Sequence, residues 1–405
     1  MKSSAVARMW TGLLAVGALV VGIYGCEGAS RAEAPATPGV EANRGSGTMR
    51  TPVDPALAAK GRAIFRFDDF GDPRFWTDTL QLNRVVETLT PVQALGLGLK
   101  VDVDALPPGT LESVDLNDPA TTLALLRLDA VVGVTARVED GRIRRIGITC
   151  ALCHSTVDDD AAPGVGHRLD GWPNHDLNVG AIVASSPAIP DGALARYLQS
   201  WGPGFYDARV NVDGRMDGPV VIPPAYGLHG VALETYTGDG PISYWNAYVA
   251  VTQMHGQGSF SDPRLGIHVS PGGPNLVQPV LAALREYQLS LDAPEGTTAG
   301  EGPRRGRTLF EGKAGCARCH AGPRLTDAPT LHDPSEVPTE PTWAERSATG
   351  AYRSTPLRGL FHHAPYFHDG SAATLEDVVG RYDAFFDLGL TAQERSDLVA
   401  YLRTL

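Results

Sequence analysis

A chain of 405 residues with 43% hydrophobic and 20% charged residues is long enough for two domains and can bury a sizeable core. Its formal net charge of −12 argues against nucleic acid as a partner and against adhesion to anionic lipid, while permitting a small basic redox protein. The 46 glycines and 31 prolines point to long irregular loops between helices.

Lys2 and Arg8 precede an apolar run from Trp10 to Tyr24. The run is shorter than the about 20 residues that cross a bilayer, so residues 1–25 read as a signal peptide. Ile23-Tyr24-Gly25-Cys26 resembles a bacterial lipoprotein cleavage box with Cys26 as the lipidated residue, an ordinary cleaved signal being the alternative. The expectation is a protein on the periplasmic side of a bacterial membrane, touching it through the lipid anchor alone. Residues 26–52 are Gly, Ala, Pro, Ser and charge, the composition of a flexible tether.

Residues 53–293 form the expected N-terminal domain. Ala56 to Phe67 has helical spacing, and its Gly61-Arg-Ala-Ile-Phe65 returns as Gly306-Arg-Thr-Leu-Phe310. Thr121 to Asp129 predicts a further helix. The runs 131–138 and 142–148, with Asp140-Gly141 between them, predict a β-hairpin leading into Cys150.

Cys150-Ala-Leu-Cys153-His154 is the first of two C-x-x-C-H motifs, and Cys316-Ala-Arg-Cys319-His320 is the second. A c-type haem requires two thiols to add across its vinyl groups and an imidazole on the iron, and five residues supply all three. Zinc or dithiol chemistry also uses C-x-x-C, but neither explains a His that follows both times. With two covalent haems in place, Cys26 is the one cysteine of five left over, so no intramolecular disulfide is expected.

Beyond the first motif, Arg168-Leu-Asp-Gly-Trp172-Pro-Asn-His175 predicts an irregular loop. Tyr244 to His255 and Val280 to Leu291 predict helices, the second closing the domain. Residues 294–405 form the C-terminal domain, in which Thr374 caps one helix and Thr391 to Glu394 is a capping box for the last.

Both C-x-x-C-H motifs and the segment Ser354-Thr-Pro-Leu-Arg-Gly-Leu-Phe-His-His-Ala-Pro-Tyr-Phe-His-Asp-Gly370 resemble the bacterial di-haem cytochrome c peroxidase superfamily. That superfamily includes the enzyme that matures methylamine dehydrogenase and, more distantly, the di-haem rubber oxygenases. Stretches such as Gly71 to Leu80 and Tyr244 to Phe260 are similar to a branch with no established substrate. The resemblance implies a mainly α fold of two class I cytochrome c-like domains, the first enlarged by a long insertion that carries the hairpin. It implies a low-potential catalytic haem on the N-terminal motif and a high-potential electron-storing haem on the C-terminal one. It places the usual Met ligand of the second haem at Phe367, which cannot bind iron. His368 is then the expected distal ligand, with bis-His ligation and a lowered potential; bracing the loop is its other role.

At the first haem, the resemblance aligns Gln253-Met254 with a Glu-Met segment whose carboxylate moves protons on bound peroxide. Gln253 hydrogen-bonds but carries no proton. His255 and His175 are the alternative distal groups, and Arg168 is a candidate to steady an oxyanion or a propionate. Trp172 and Trp245 are candidate electron relays or ordinary core. The resemblance also allows calcium between the domains, and no residue pattern places it.

Two readings follow. One is a peroxidase-type oxidoreductase whose first haem meets peroxide, O2 or a small organic substrate, with a di-haem oxygenase as its variant. The other is an electron-transfer cytochrome with both irons six-coordinate. An approachable distal position separates them.

Overall fold

The structure, a computed structural model, describes residues 53–71, 73–270, 272–296 and 300–405. The expected signal peptide and Cys26 lie outside those residues. Helix α1 (Pro55–Phe67) starts where the Asp54 carboxylate accepts from the amides of Ala56 and Leu57, with proline at its first position. Helix α2 (Pro119–Arg127) is capped by Asp118 and stops before Asp129, whose φ of 52° leaves the helical region. Strands β1 (Val134–Glu139) and β2 (Arg142–Ile148) form the expected hairpin. Its turn places Asp140 and Gly141 at φ 49° and 71°, the left-handed pair that a two-residue hairpin loop requires.

Helix α3 (Ala193–Ser200) precedes the short antiparallel pair β3 (Phe205–Tyr206) and β4 (Val220–Val221). Helix α4 (Ile242–Thr252) is apolar nearly all round and buried. It ends three residues earlier than the sequence pattern suggests, because the Met254 amide bonds back to Val249 and His255 takes φ 57°. Helix α5 (Leu281–Ser290) closes the N-terminal part. Helices α6 (Glu301–Glu311), α7 (Leu375–Phe386) and α8 (Ala392–Leu402) frame the rest, the last two opening on the Thr374–Asp377 and Thr391–Glu394 capping boxes. Among the described residues helix predominates, every ladder is two-stranded, and no helix is long and apolar enough to cross a membrane.

Two helix crossings built alike organise these elements. Where α1 meets α5, a Cβ on Gly61 would stand 1.9 Å from the Ala283 carbonyl oxygen; where α6 meets α8, a Cβ on Gly306 would stand 1.9 Å from that of Asp397. Both glycines are there for close backbone approach. One turn on, Phe65 meets Tyr287 edge-to-face and Phe310 meets Tyr401 in the same way. The repeated sequence is thus a repeated joint. The stretch between α1 and the first C-x-x-C-H has its own core around Trp76, Leu80, Leu126 and Ile146, shared with Leu198 and Trp201.

Arg346 ties the two parts together. Its fully buried guanidinium reaches the carboxylates of Asp207 at 3.0 Å, Asp213 at 2.7 Å and Asp217 at 3.2 Å. Arg209, itself paired with Asp239 at 3.0 Å, donates to the Arg346 carbonyl, and both guanidinium groups lie over the Trp343 ring.

Candidate functional site

The β1–β2 hairpin delivers Thr149 to the end of α1, where its hydroxyl donates to the Arg66 carbonyl and accepts from the Ala151 amide. The short helix Ala151–His154 follows directly. The His154 amide closes the turn on the Cys150 carbonyl at 3.2 Å, and the His320 amide closes the second on the Cys316 carbonyl at 2.9 Å. In each motif the turn brings two thiols and one imidazole together.

The two imidazoles are anchored identically. His154 Nδ1 lies 3.1 Å from the Pro223 carbonyl and His320 Nδ1 3.0 Å from the Leu325 carbonyl. A carbonyl only accepts, so Nδ1 holds the proton and Nε2 keeps its lone pair. Burial lowers the His154 pKa to about 4, against the raising effect of the Pro223 carbonyl, and lowers that of His320 likewise. Both rings are neutral, as an iron ligand must be.

The four cysteines of the two motifs are free, and burial pushes Cys150 and Cys153 up to about 12 and Cys316 up to about 11. Such thiols are poor thiolates, which tells against dithiol exchange. Both motifs open on one continuous, mostly apolar cavity of about 680 Å³. Its wall includes His363, whose Nε2 is buried without a partner. Two thioether-forming pairs, two anchored neutral imidazoles, an apolar chamber and an orphaned buried nitrogen are what covalent haem requires, so the residues present fit the group.

Of the four candidate distal residues, the cavity receives one. Gln253 lines it, its Oε1 accepting from the Tyr206 hydroxyl at 2.7 Å and its Nε2 donating to Asn211 Oδ1 at 3.0 Å and Thr252 Oγ1 at 2.8 Å. The other three expected residues are not among those that line it. His255 is turned away by its positive φ and stacks on Phe75 with ring centroids 3.5 Å apart. His175 is committed to the Ile222 carbonyl at 3.1 Å. Arg168 pairs with buried Asp102 at 2.9 Å. Trp245 lines the cavity, whereas Trp172 packs between Tyr226 and His362 outside its wall.

His368 also lines the cavity, but neither nitrogen is free. Nδ1 meets Thr339 Oγ1 at 3.1 Å, and Nε2 meets Glu340 Oε1 at 2.5 Å and the Tyr352 hydroxyl at 3.2 Å. Phe367 stacks on Tyr382, a phenol in the cavity wall that the sequence reading missed. Burial raises its phenol to about 12, reinforced by the neighbouring Cys316 and Cys319 thiols, which places it beside the second motif. Val378, Tyr382 and Phe386 recur at every fourth position along α7 and all face the cavity, so helical phase was the available signal. Tyr206, in a two-residue strand, gave none.

Comparison with known proteins bears on the same residues. The cytochrome c family matches residues 303–405. The methylamine utilization protein MauG of Methylorubrum extorquens is 32% identical over 160 residues, 33% of this chain and 45% of that protein. The cytochrome-c peroxidase IdrP2 of Pseudomonas sp. (strain SCT) is 26% identical over 386 residues, 81% of this chain and 92% of that one. The matched cytochrome c domain and these relatives support the bacterial di-haem cytochrome c peroxidase superfamily. Cytochrome c551 peroxidase of Nitrosomonas europaea, 24% identical, aligns with 66% of this chain and 76% of its own length. The chain spans less than half the length of the MauG relative. Taken together, these matches support covalently bound haem c.

Proposed function

We propose that the protein carries two haem c groups, on Cys150, Cys153 and His154 and on Cys316, Cys319 and His320, with the first reacting with peroxide and the second supplying electrons. The observation that supports this most is the shared cavity, with different polar groups at its two ends. The haem, when bound, supplies the redox chemistry. At the first motif the chain contributes Tyr206 and Gln253, a hydrogen-bonded pair that orients a small oxygen ligand in an apolar wall. With amide in place of carboxylate, the pair positions a ligand without carrying its proton, so protons come from water. At the second motif Tyr382 is the proposed distal oxygen donor and His368 the residue that holds the loop.

A second reading has one observation in its favour. The Met254 thioether lines the cavity beside Gln253 and is a candidate sixth ligand, which would make the protein an electron relay. Absorption and EPR spectra of the half-reduced holoprotein with cyanide, CO and peroxide decide between them. One haem of two should respond; if neither responds in any redox state, the relay reading stands. For the second haem, Tyr382→Phe should change its spectrum and His368→Gln should change it less; the reverse ranking would restore His368 as the ligand. We further propose that the protein is exported and lipid-anchored through Cys26, which palmitate labelling of the wild type against Cys26→Ser would test.

A further inference from the structure

Three arginines among the described residues are buried, and two of them answer to carboxylates: Arg346 to Asp207, Asp213 and Asp217, and Arg209 to Asp239. Arg353, the third, lines the main cavity, and among the described residues no carboxylate forms an ion pair with it. Its Nε donates to the Thr235 carbonyl at 2.8 Å, its Nη1 to that of Ser354 at 3.2 Å and its Nη2 to that of Glu234 at 3.3 Å. Carbonyl oxygens satisfy N–H groups but do not cancel a charge, and each terminal nitrogen keeps a second N–H for a further acceptor. We propose that Arg353 binds a propionate carboxylate of the haem on Cys316 and Cys319, a pairing that seats this porphyrin and raises its reduction potential. The inference rests on the two-haem reading above.

The surroundings isolate the charge. Burial lowers the Arg353 pKa to about 10, against the raising pull of Tyr236 and Glu234, and leaves it a cation at neutral pH. The Glu234 carboxylate accepts from the Ile242 amide at 2.9 Å and stands 3.6 Å from Arg285, so it is engaged elsewhere. The cavity wall is mostly apolar, and an unpaired cation there is costly. A porphyrin brings its own carboxylates into that chamber, and a guanidinium takes a carboxylate through two parallel hydrogen bonds.

The position of Arg353 picks out the second motif. Arg353 pairs with Leu331 in a short antiparallel ladder. The Ser354 carbonyl accepts from the Thr326 hydroxyl at 2.7 Å, and the Ser354 hydroxyl donates to Asp327. These partners belong to the loop that follows His320 and that fixes its imidazole through the Leu325 carbonyl. The Arg353 amide donates to the Tyr236 carbonyl at 2.9 Å, so backbone and guanidinium alike are also held by the N-terminal unit. A fixed cation beside the ring favours the reduced state, in which the iron carries one positive charge fewer. That suits a haem whose task is to hold and pass on electrons.

The test is potentiometric titration and resonance Raman spectroscopy of the full-length holoprotein, with peptide masses confirming a porphyrin on each motif. Arg353→Gln keeps a side-chain donor and removes the charge. The midpoint of the haem that does not respond to cyanide should move down and its propionate bending band should shift, while the other haem keeps both. Arg353→Lys should return the midpoint toward the wild type yet leave the band shifted, because an ammonium is a point charge without the two-pronged geometry. A merely structural role predicts a lower melting temperature with midpoints and bands unchanged, and that result refutes the inference. A shift confined to the cyanide-responsive haem overturns it as well. Should Arg353→Gln fail to fold, Arg353→Lys decides alone, an unshifted propionate band being the refuting result. If the wild type carries no porphyrin on Cys316 and Cys319, the two-haem reading falls and this inference with it.

Discussion

Phe65 meets Tyr287 at 5.5 Å and 66°, and Phe310 meets Tyr401 at 5.3 Å and 69°. Around these near-identical joints the two units diverge. The C-terminal one goes directly from α6 to its C-x-x-C-H and closes its cavity end with α7. The N-terminal one inserts a hairpin, α2 and a second core before its motif, and its cavity end is formed by β3 and the end of α4. In the proposed reading, what the two share would hold a porphyrin in place; where they differ is the distal side, where a ligand would approach. Attachment is thus encoded by a short repeated pattern, and reactivity by what was added around it.

The comparison breaks most completely at the cysteines. Cys150→Ser with Cys153→Ser should remove one covalent haem and the peroxide response, and Cys316→Ser with Cys319→Ser should remove the other haem alone. Peptide masses of the purified variants check both. Next in size is the tie between the units. Arg346→Ala leaves Asp207 buried without its partner and should cost about 3–5 kcal/mol, read from denaturant melts. At the joints, Gly61→Ala and Gly306→Ala each force the helices apart and should cost about 1–3 kcal/mol, with similar losses if the joints are equivalent.

The smallest effect concerns acid and belongs to the C-terminal unit. Burial would raise the Glu340 carboxyl, but hydrogen bonds from His368 and Thr342 hold it down at about 2. A carboxyl depressed on folding contributes stability that is complete above its ordinary value of 4.5 and is lost as the pH falls toward 2. Glu340→Gln should therefore flatten the fall in melting temperature between those limits relative to the wild type.

Much of this was readable beforehand, for local reasons. The hairpin followed from Asp140-Gly141 between β-branched runs, the last two helices from their capping boxes, and the paired joints from the Gly61 and Gly306 repeat. The distal residues were harder because their positions depend on long-range partners. His255 stands two residues from Gln253, yet a single positive φ sends it to Phe75 instead of the cavity. Arg168 and His175 are consumed by Asp102 and the Ile222 carbonyl, neither of them a sequence neighbour. Tyr382 shows the opposite case: its helical phase was legible, and the nearby His368 drew attention from it.

The buried guanidinium of Arg346 carries one more implication. Electron tunnelling falls off steeply with separation, so a pair of redox centres on hinged lobes would exchange charge at a rate that wandered with every flexing motion. A cation locked among three carboxylates of the opposite lobe removes that freedom, and with the two proposed haems bound the tempo of internal electron exchange would be a fixed property of the polypeptide.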